Sequence, residues 1–244
     1  MAQLTRTEAK LFFRDPVPLF FGLVFPTLLI VALGFFFPGF DEPDPAFGGL
    51  RYIDVYSNTA IALGLATLGL VTLPPILGLY RQLGILRRLR TTPVGPARLL
   101  VAQLIVHSAV AIVSGAVAIT AAITLFDVPV PGAPLWFVVS FVLGAASIFS
   151  IGLLVGARAP TTNAGVGFGM GLYFPMLFFA GLWVPRFVMS DGVRLVADLT
   201  PLGSAVQAME DSWLGTGPAA FNLIVMVVWT LAAGGLAVRL FKWE

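Results

Sequence analysis

Long runs without a charged residue are the feature that most restricts how this chain can fold. Six such runs are present: Pro16–Phe40, Val55–Tyr80, Leu99–Phe126, Val128–Ala157, Ala159–Pro185 and Ser212–Val238. Each is longer than the roughly 20 apolar residues that a helix needs to cross the hydrocarbon core of a bilayer. Their apolar and polar residues do not alternate, as they would in the strands of a transmembrane barrel. With 58% hydrophobic and 11% charged residues, the chain is predicted to be an all-α integral membrane protein.

Six transmembrane helices are expected to form a single domain over residues 1–244. We place them at residues 17–37, 54–78, 98–126, 134–157, 164–184 and 219–240. Ahead of the first span, polar residues recur at helical spacing from Gln3 to Arg14, with Leu4, Leu11 and Phe12 near the opposite side. This pattern predicts an amphipathic helix on the membrane surface. The alternative is a solvated basic start that only helps to fix the topology.

The positions of the basic residues predict the orientation, because Lys and Arg near membrane ends are retained in the cytoplasm. With both termini in the cytoplasm, only Arg51, Arg186 and Arg194 among the basic residues fall outside. We therefore expect a multi-pass protein of the cell membrane, with the lipid bilayer as its surroundings. Since the basic residues mark the cytoplasmic side, they do not indicate nucleic-acid binding. The composition, rich in Ala, Gly, Val and Arg, is typical of a bacterium with a high GC content.

One cytoplasmic segment, residues 80–92, concentrates arginine and contains no acidic residue. Its candidate docking residues are Arg81, Gln82, Leu83, Gly84, Leu86, Arg87, Arg88, Leu89 and Arg90. Leu79, Leu83 and Leu86 have the spacing of one helical face, and the Thr-Thr-Pro sequence at 91–93 would end the helix. These features predict a helix that docks on a cytoplasmic partner. A basic anchor for anionic lipid headgroups is the alternative.

A semi-polar segment, residues 185–217, precedes the last span. It mixes charged and apolar residues, and Thr200-Pro201 divides it. Two short helices are predicted, with Asp191 capping the first and Arg194 paired with Asp198 at i,i+4. The resulting hairpin either dips into the outer leaflet or forms an extracellular loop with interfacial helices.

Several kinds of chemistry are disfavoured by the residues that the sequence lacks. It has no cysteine and one histidine, so we expect no metal site. No Asp or Glu falls within the six uncharged runs, which argues against an ion-gradient-driven transporter. The spans also lack the cluster of His, Asp, Glu or Ser that an intramembrane lipid-processing enzyme would need. A scaffold without transport activity is a further alternative.

The chain also lacks a phosphate-binding loop. That loop has the form G-x-x-x-x-G-K-[ST], and the lysines of this chain, Lys10 and Lys242, precede Leu11 and Trp243. The chain is therefore not expected to hydrolyse ATP, and any ATPase that works with it must be another polypeptide.

The segment predicted to dock on a partner, residues 80–92, resembles a motif of a known family. The residues from Gly84 to Pro96 read G-I-L-R-R-L-R-T-T-P-V-G-P, similar to the first cytoplasmic loop of ABC type-2 exporter permeases. The surface helix, the hairpin before the last span and the frame from Phe179-Ala-Gly-Leu-Trp-Val-Pro185 to Thr200-Pro-Leu202 also resemble that family. Gln82 departs from it, since an acid often stands there, and so does Gly203, where an aromatic residue is usual.

The resemblance implies a permease that works with two copies of a separate ABC ATPase subunit, which would bind ATP and Mg²⁺. It also implies pairing with a second permease copy, identical or a close paralogue. Residues 80–92 would form the coupling helix, which transmits closure of the ATPase to the membrane helices. The expected activity is export of a hydrophobic or amphipathic compound, such as a drug-like molecule, a lipid or a glycolipid, by alternating access.

The resemblance further implies that the second and fifth spans line the substrate pathway, where Asn58, Thr59, Phe174 and Phe178 are the candidates. His107 is added on chemical grounds, because a group inside the membrane that titrates near neutral pH is a functional candidate. The alternative for His107 is a histidine that only bonds to its neighbours.

Overall fold

The computed structural model describes residues 1–43, 45, 49–90 and 96–241, without the side chains of Arg90, Pro96 and Phe187. Its regular structure in these ranges is helical, which confirms the all-α prediction. The helices are α1 (Ala2–Arg14), α2 (Pro16–Phe36), α3 (Tyr52–Gln82), α4 (Ile85–Arg90), α5 (Pro96–Phe126), α6 (Pro134–Arg158), α7 (Thr162–Phe179), α8 (Asp191–Leu199), α9 (Pro201–Trp213) and α10 (Ala220–Leu240).

Five of the described helices, α2, α3, α5, α6 and α10, are long and apolar enough to cross a membrane. They correspond to the predicted spans one to four and six, and they confirm a multi-pass membrane protein. The predicted fifth span corresponds to α7, which is not among the five. It has 18 residues, a rise of about 27 Å against the roughly 30 Å of the hydrocarbon core. Its hydropathy is reduced by Thr162, Asn163 and four glycines.

Helix α3 lies at the centre of the bundle and is the most buried of these five helices. Glycines allow its neighbours to approach closely: a Cβ on Gly152 of α6 would overlap the carbonyl oxygen of Gly69, and one on Gly169 of α7 would overlap that of Leu70. The stretch Thr67–Thr72 of α3 is π-helical. Within it, the hydroxyl of Thr67 lies 3.0 Å from that of Tyr173 on α7.

We call the end of the bundle at which α3 begins the outer end. Arg51, directly before α3, makes ion pairs with Asp41 and Asp54 at 2.6 and 2.8 Å. Its guanidinium also donates to the carbonyl oxygens of Phe126 and Asp127 at 2.7 and 3.1 Å. The acidic partners raise the pKa of Arg51. Arg51 thus ties the connection before α3 to the end of α5.

Helices α8 and α9 form the predicted hairpin, and Thr200 caps α9 by accepting from the Gly203 N–H at 3.1 Å. Most of α9 is buried, against α3, α6 and α10. Two details of the prediction are wrong. The side chain of Asp191 does not cap α8, because it lies one residue inside the helix. Asp198 pairs with Arg186, which reaches it from the turn before α8, instead of with Arg194.

Candidate functional site

We call the opposite end of the bundle, where α3 ends, the coupling end. Helix α3 extends to Gln82 and α4 begins at Ile85, and Gly84 between them has a left-handed φ of 68°. Such a φ favours glycine, because a Cβ would be strained there. The single helix predicted over residues 80–92 is therefore divided in two. The predicted stop at Thr91 and Thr92 lies outside the described residues, as does the side chain of Arg90.

The predicted ridge of Leu79, Leu83 and Leu86 is wrong, because the turn at Gly84 directs Leu86 away from the other two. Leu86 is 0% exposed and belongs to a buried cluster with Leu77, Tyr80 and Leu99, against which Ile85 and Leu89 also pack. Leu83, by contrast, is 56% exposed. Leu86 therefore anchors α4 to the bundle. The exposed surface consists of Leu79, Gln82, Leu83, Arg87 and Arg88, and we call it the docking surface.

Arg81 faces the bundle instead of the docking surface. Its guanidinium donates to the carbonyl oxygens of Gly156 and Ala157, at 3.1 and 3.0 Å, and to that of Ala159. Carbonyls in the last turn of a helix lack partners within the helix, and a cation there also interacts favourably with the helix dipole. The guanidinium carbon lies 5.6 Å from the ring centroid of Phe241, after α10. Arg81 thus joins α3 to α6 and to the end of α10.

The neighbouring Gln82 connects α3 to α7. Its Oε1 accepts a hydrogen bond from the backbone N–H of Thr162, the first residue of α7, at 3.4 Å. Together, Arg81 and Gln82 link the end of α3 to the two helices on which it packs.

A buried carboxylate, Glu8 of α1, lies beside the end of α3, and the sequence analysis did not identify it. Glu8 is 6% exposed, and its Oε2 accepts hydrogen bonds from the Tyr80 hydroxyl and the Gln103 amide, both at 2.6 Å. Burial raises the pKa of Glu8, although the hydrogen bond from Tyr80 opposes this. The spacing could have revealed it, because Glu8 stands midway between Leu4 and Phe12 on the apolar side of α1.

His107 is fully buried and both ring nitrogens have partners. Nε2 lies 2.8 Å from the Thr72 hydroxyl, and Nδ1 lies 2.8 Å from the carbonyl oxygen of Gln103. The ring also makes edge contacts with Phe12 and Phe149. These contacts favour the alternative in which His107 bonds only to its neighbours.

The pathway candidates on α7 lie on its exposed side. Phe174 is 54% and Phe178 is 37% exposed, and a Cβ on Gly167 or Gly171 would meet no atom within 4 Å. The spacing of these four residues places them on one face of α7. Whether that face lines a substrate pathway stays a prediction.

The remaining two candidates line adjoining cavities at the outer end, which we call the outer chamber. One cavity of about 310 Å³ lies between α3, residues 180–186 and α9, and Thr59 lines it. The other, of about 300 Å³, lies between α3, α9 and the connection before α6, and Asn58 lines it. The cavities share four lining residues, Leu50, Val55, Glu210 and Leu214.

Two residues that line the outer chamber contain fully buried polar atoms without a hydrogen-bond partner among the described residues. Asn58 is 1% exposed, yet neither Nδ2 nor Oδ1 makes a hydrogen bond, and the same is true of Nε1 of Trp213. Burial raises the pKa of Glu210 to about 7, while the charge of Arg186 lowers it and that of Asp211 raises it. Asn58 and Thr59 were candidates from the sequence, whereas Glu210 and Trp213, which line the outer chamber from α9, are distant in sequence and were not predicted.

The family described as ABC-2 type transporter matches residues 1–213, which is most of the chain. No match was found among curated proteins.

Proposed function

Because this chain belongs to the ABC-2 type transporter family, we propose that it is an ABC permease which exports hydrophobic or amphipathic compounds by alternating access. The observation that carries the proposal is the construction of the coupling end. The docking surface is exposed, while Leu86 and Arg81 hold the same segment to α3, α5 and α6. A force applied to α4 therefore reaches the central helix directly.

The partner that applies this force is an ABC ATPase subunit, in two copies, which binds ATP and Mg²⁺. Leu83 offers it an apolar contact, and the cationic Arg87 and Arg88 offer it charge. A second permease copy, identical or closely related, completes the transporter. The exposed side of α7, with Phe174 and Phe178, is the surface assigned to the substrate pathway or to the second copy.

The proposed topology has six spans with both termini in the cytoplasm, and α7 is the fifth. Helix α7 begins beside Gln82 at the coupling end. It ends at Phe179, whose carbonyl oxygen accepts from Arg186 at the rim of the outer chamber. Both α1 and Phe241 contact the coupling end, through Tyr80 and Arg81. An even number of crossings is needed to bring the chain back to that end, which supports α7 as a span.

The coupling role is tested by replacing the exposed Leu83, because replacing the buried Leu86 would disturb folding. In the complex co-purified with its ATPase, Leu83→Asp is expected to lower substrate-stimulated ATP hydrolysis by about tenfold, the equivalent of 1.4 kcal/mol. Thr7→Asp, at an exposed position of α1, is the control and is expected to retain activity. Unchanged hydrolysis and unchanged recovery of the ATPase with Leu83→Asp would contradict the proposal.

The energy source is tested separately in proteoliposomes. Transport is expected to require ATP inside the compartment that holds the ATPase. Transport that proceeds without ATP and follows a pH gradient would favour an ion-gradient-driven transporter instead.

A further inference from the structure

Helix α1 carries three adjoining rows of residues, because residues four positions apart lie on the same side of a helix. The first row is buried against the bundle and contains Glu8 and Phe12. The second row is uncharged and the third is cationic. The second consists of Thr5, Ala9 and Phe13, and the third of Arg6, Lys10 and Arg14. An uncharged row and a cationic row therefore run side by side along α1.

An apolar groove lies between the uncharged row, α2 and α5. Its volume is about 210 Å³, and its lining includes Leu23 of α2 and five apolar residues of α5, from Ile105 to Val113. The hydroxyl of Thr5 also lines it, but that hydroxyl already donates to the carbonyl oxygen of Met1 at 3.3 Å. Ile105 and Val113 are exposed, so the groove opens on the outside of the bundle. Around a membrane-spanning helix that outside is hydrocarbon, and the groove therefore suits an acyl chain.

A cationic groove, of about 460 Å³, lies directly beside the apolar groove and shares Ala9 and Phe13 with it. Arg6, Lys10 and Arg14 line it, and none of the three makes an ion pair with a described residue. No described acidic residue lines either groove. The two grooves thus combine apolar surface with three cations that have no counter-charge within them.

The acids nearest in sequence are engaged elsewhere. Glu8 points into the bundle, where its carboxylate accepts from the Tyr80 hydroxyl and the Gln103 amide. Asp15 caps α2 by accepting from the backbone N–H of Val17 at 3.2 Å. A surplus of positive charge therefore remains at the cationic groove, and an anionic ligand complements it.

The combination of the two grooves selects a lipid with a negatively charged head. Guanidinium and ammonium groups bind phosphate oxygens through charge-assisted hydrogen bonds. In the proposed topology α1 lies at the cytoplasmic leaflet, which is the leaflet that carries anionic lipids. A soluble anion would leave the apolar groove unused, and a lipid with a neutral head would leave the surplus positive charge unbalanced.

We propose that the two grooves form a binding site for one anionic phospholipid of the cytoplasmic leaflet. Its phosphate lies at Arg6, Lys10 and Arg14, and an acyl chain lies between α1, α2 and α5. This site is separate from the outer chamber and from the exposed side of α7, so the lipid is a resident ligand and not a transported compound. The leaflet follows from the proposed topology, whereas the binding itself does not depend on export.

Isothermal titration calorimetry of the full-length permease in detergent, with protein-free micelles as the blank, measures the binding. Dioleoyl phosphatidylglycerol is expected to fill one site per chain, at least about tenfold more tightly than dioleoyl phosphatidylcholine, which has the same chains and a zwitterionic head. Inorganic phosphate, compared at constant ionic strength, is expected not to compete, since it has no chain for the apolar groove. Equal affinity for the two lipids, or competition by phosphate, would overturn the proposal.

Variants of the cationic row test the recognition of the head group. Arg6→Gln, Lys10→Gln and Arg14→Gln combined are expected to abolish the preference for phosphatidylglycerol. The matched control removes three exposed arginines elsewhere at the coupling end and is expected to keep the preference. These substitutions are Arg87→Gln, Arg158→Gln and Arg239→Gln. A preference that survives the α1 substitutions, or that is lost in the control, would overturn the proposal.

Ala109→Phe tests the apolar groove, because the added ring would occupy it while every charge stays in place. A loss of phosphatidylglycerol affinity of about threefold or more is expected. Ala116→Phe is the control, since Ala116 is exposed on α5 about two turns further along and does not line the groove. Thermal unfolding identifies any variant that fails to fold. Natural affinity in folded Ala109→Phe would contradict an acyl chain in this groove.

Discussion

The indole N–H of Trp229 donates a hydrogen bond of 2.9 Å to the carbonyl oxygen of Leu199. Leu199 is the last residue of α8, at the tip of the hairpin, whereas Trp229 lies near the middle of α10. Trp229 stands nine positions after the start of α10 at Ala220, a rise of about 14 Å. The hairpin tip thus reaches about halfway along α10. This depth supports the re-entrant form of the hairpin over a loop on the surface.

Trp229→Phe is expected to lower the free energy of unfolding by about 1 kcal/mol, because the Leu199 carbonyl loses its donor. Denaturation of the purified protein in mixed micelles measures this. Trp183→Phe is the control, since Trp183 is 59% exposed. Equal losses for the two variants would argue against a specific role for the bond.

Glu8→Leu is expected to destabilise the protein by about 1–3 kcal/mol, because the Tyr80 hydroxyl and the Gln103 amide are left buried without an acceptor. Glu8→Gln retains an acceptor oxygen and is expected to cost less. Hydrogen exchange of α1 reports the same change locally, with faster exchange in Glu8→Leu. If α1 exchanged at the natural rate in that variant, Glu8 would not be what holds α1 in place.

The stability of the protein is expected to fall between about pH 4.5, the ordinary pKa of a glutamate, and about pH 7, the value for Glu210 in the fold. Because burial raises this pKa, the folded state binds the proton more tightly than the unfolded state, so rising pH removes stabilisation over that window. Thermal unfolding of the natural protein and of Glu210→Gln at pH 5 and pH 8 checks this. Parallel profiles for the two proteins would contradict it.

Arg81→Lys is expected to lower the free energy of unfolding by about 1.5–3 kcal/mol. An ammonium group cannot reproduce the planar set of guanidinium donors that bond to the carbonyl oxygens at the end of α6. Chemical denaturation provides the measurement. Arg87→Lys, on the exposed side of α4, is expected to stay within about 0.5 kcal/mol of the natural protein. A similar cost at both positions would mean that Arg81 acts only through its charge.

Gly152→Ala is expected to destabilise the bundle strongly, since the added Cβ would overlap the backbone of Gly69 on α3. Forced overlaps of this kind cost about 1–3 kcal/mol or more. Gly235→Ala on α10 is the control, because a Cβ there meets no atom within 4 Å. Replacing an exposed glycine within a helix by alanine raises the free energy of unfolding by about 0.5–1 kcal/mol. The two variants should therefore shift the melting temperature in opposite directions.

Much of the architecture follows from the sequence, because the spans depend on hydropathy and length, and the hairpin break depends on Thr200-Pro201. The wrong predictions concern residues whose surroundings depend on contacts between distant parts of the chain. A helical-wheel argument cannot anticipate that Gly84 turns Leu86 into the bundle. It also cannot anticipate that Arg186, from a preceding turn, reaches Asp198. Glu8 lies on the apolar side of α1 by its spacing, but its partners Tyr80 and Gln103 come from distant helices and could not be identified from the sequence.

The burial of Leu86 determines how stiff the joint between α4 and α3 is. Removing this side chain from its surroundings would expose a fully buried leucine, at a cost of about 1.5–3 kcal/mol. A small displacement of α4 costs less if the neighbouring helices move with it than if the leucine leaves them. Gly84 permits the turn between the two helices and Leu86 holds α4 against the bundle. A displacement of α4 is therefore expected to displace α3 as well.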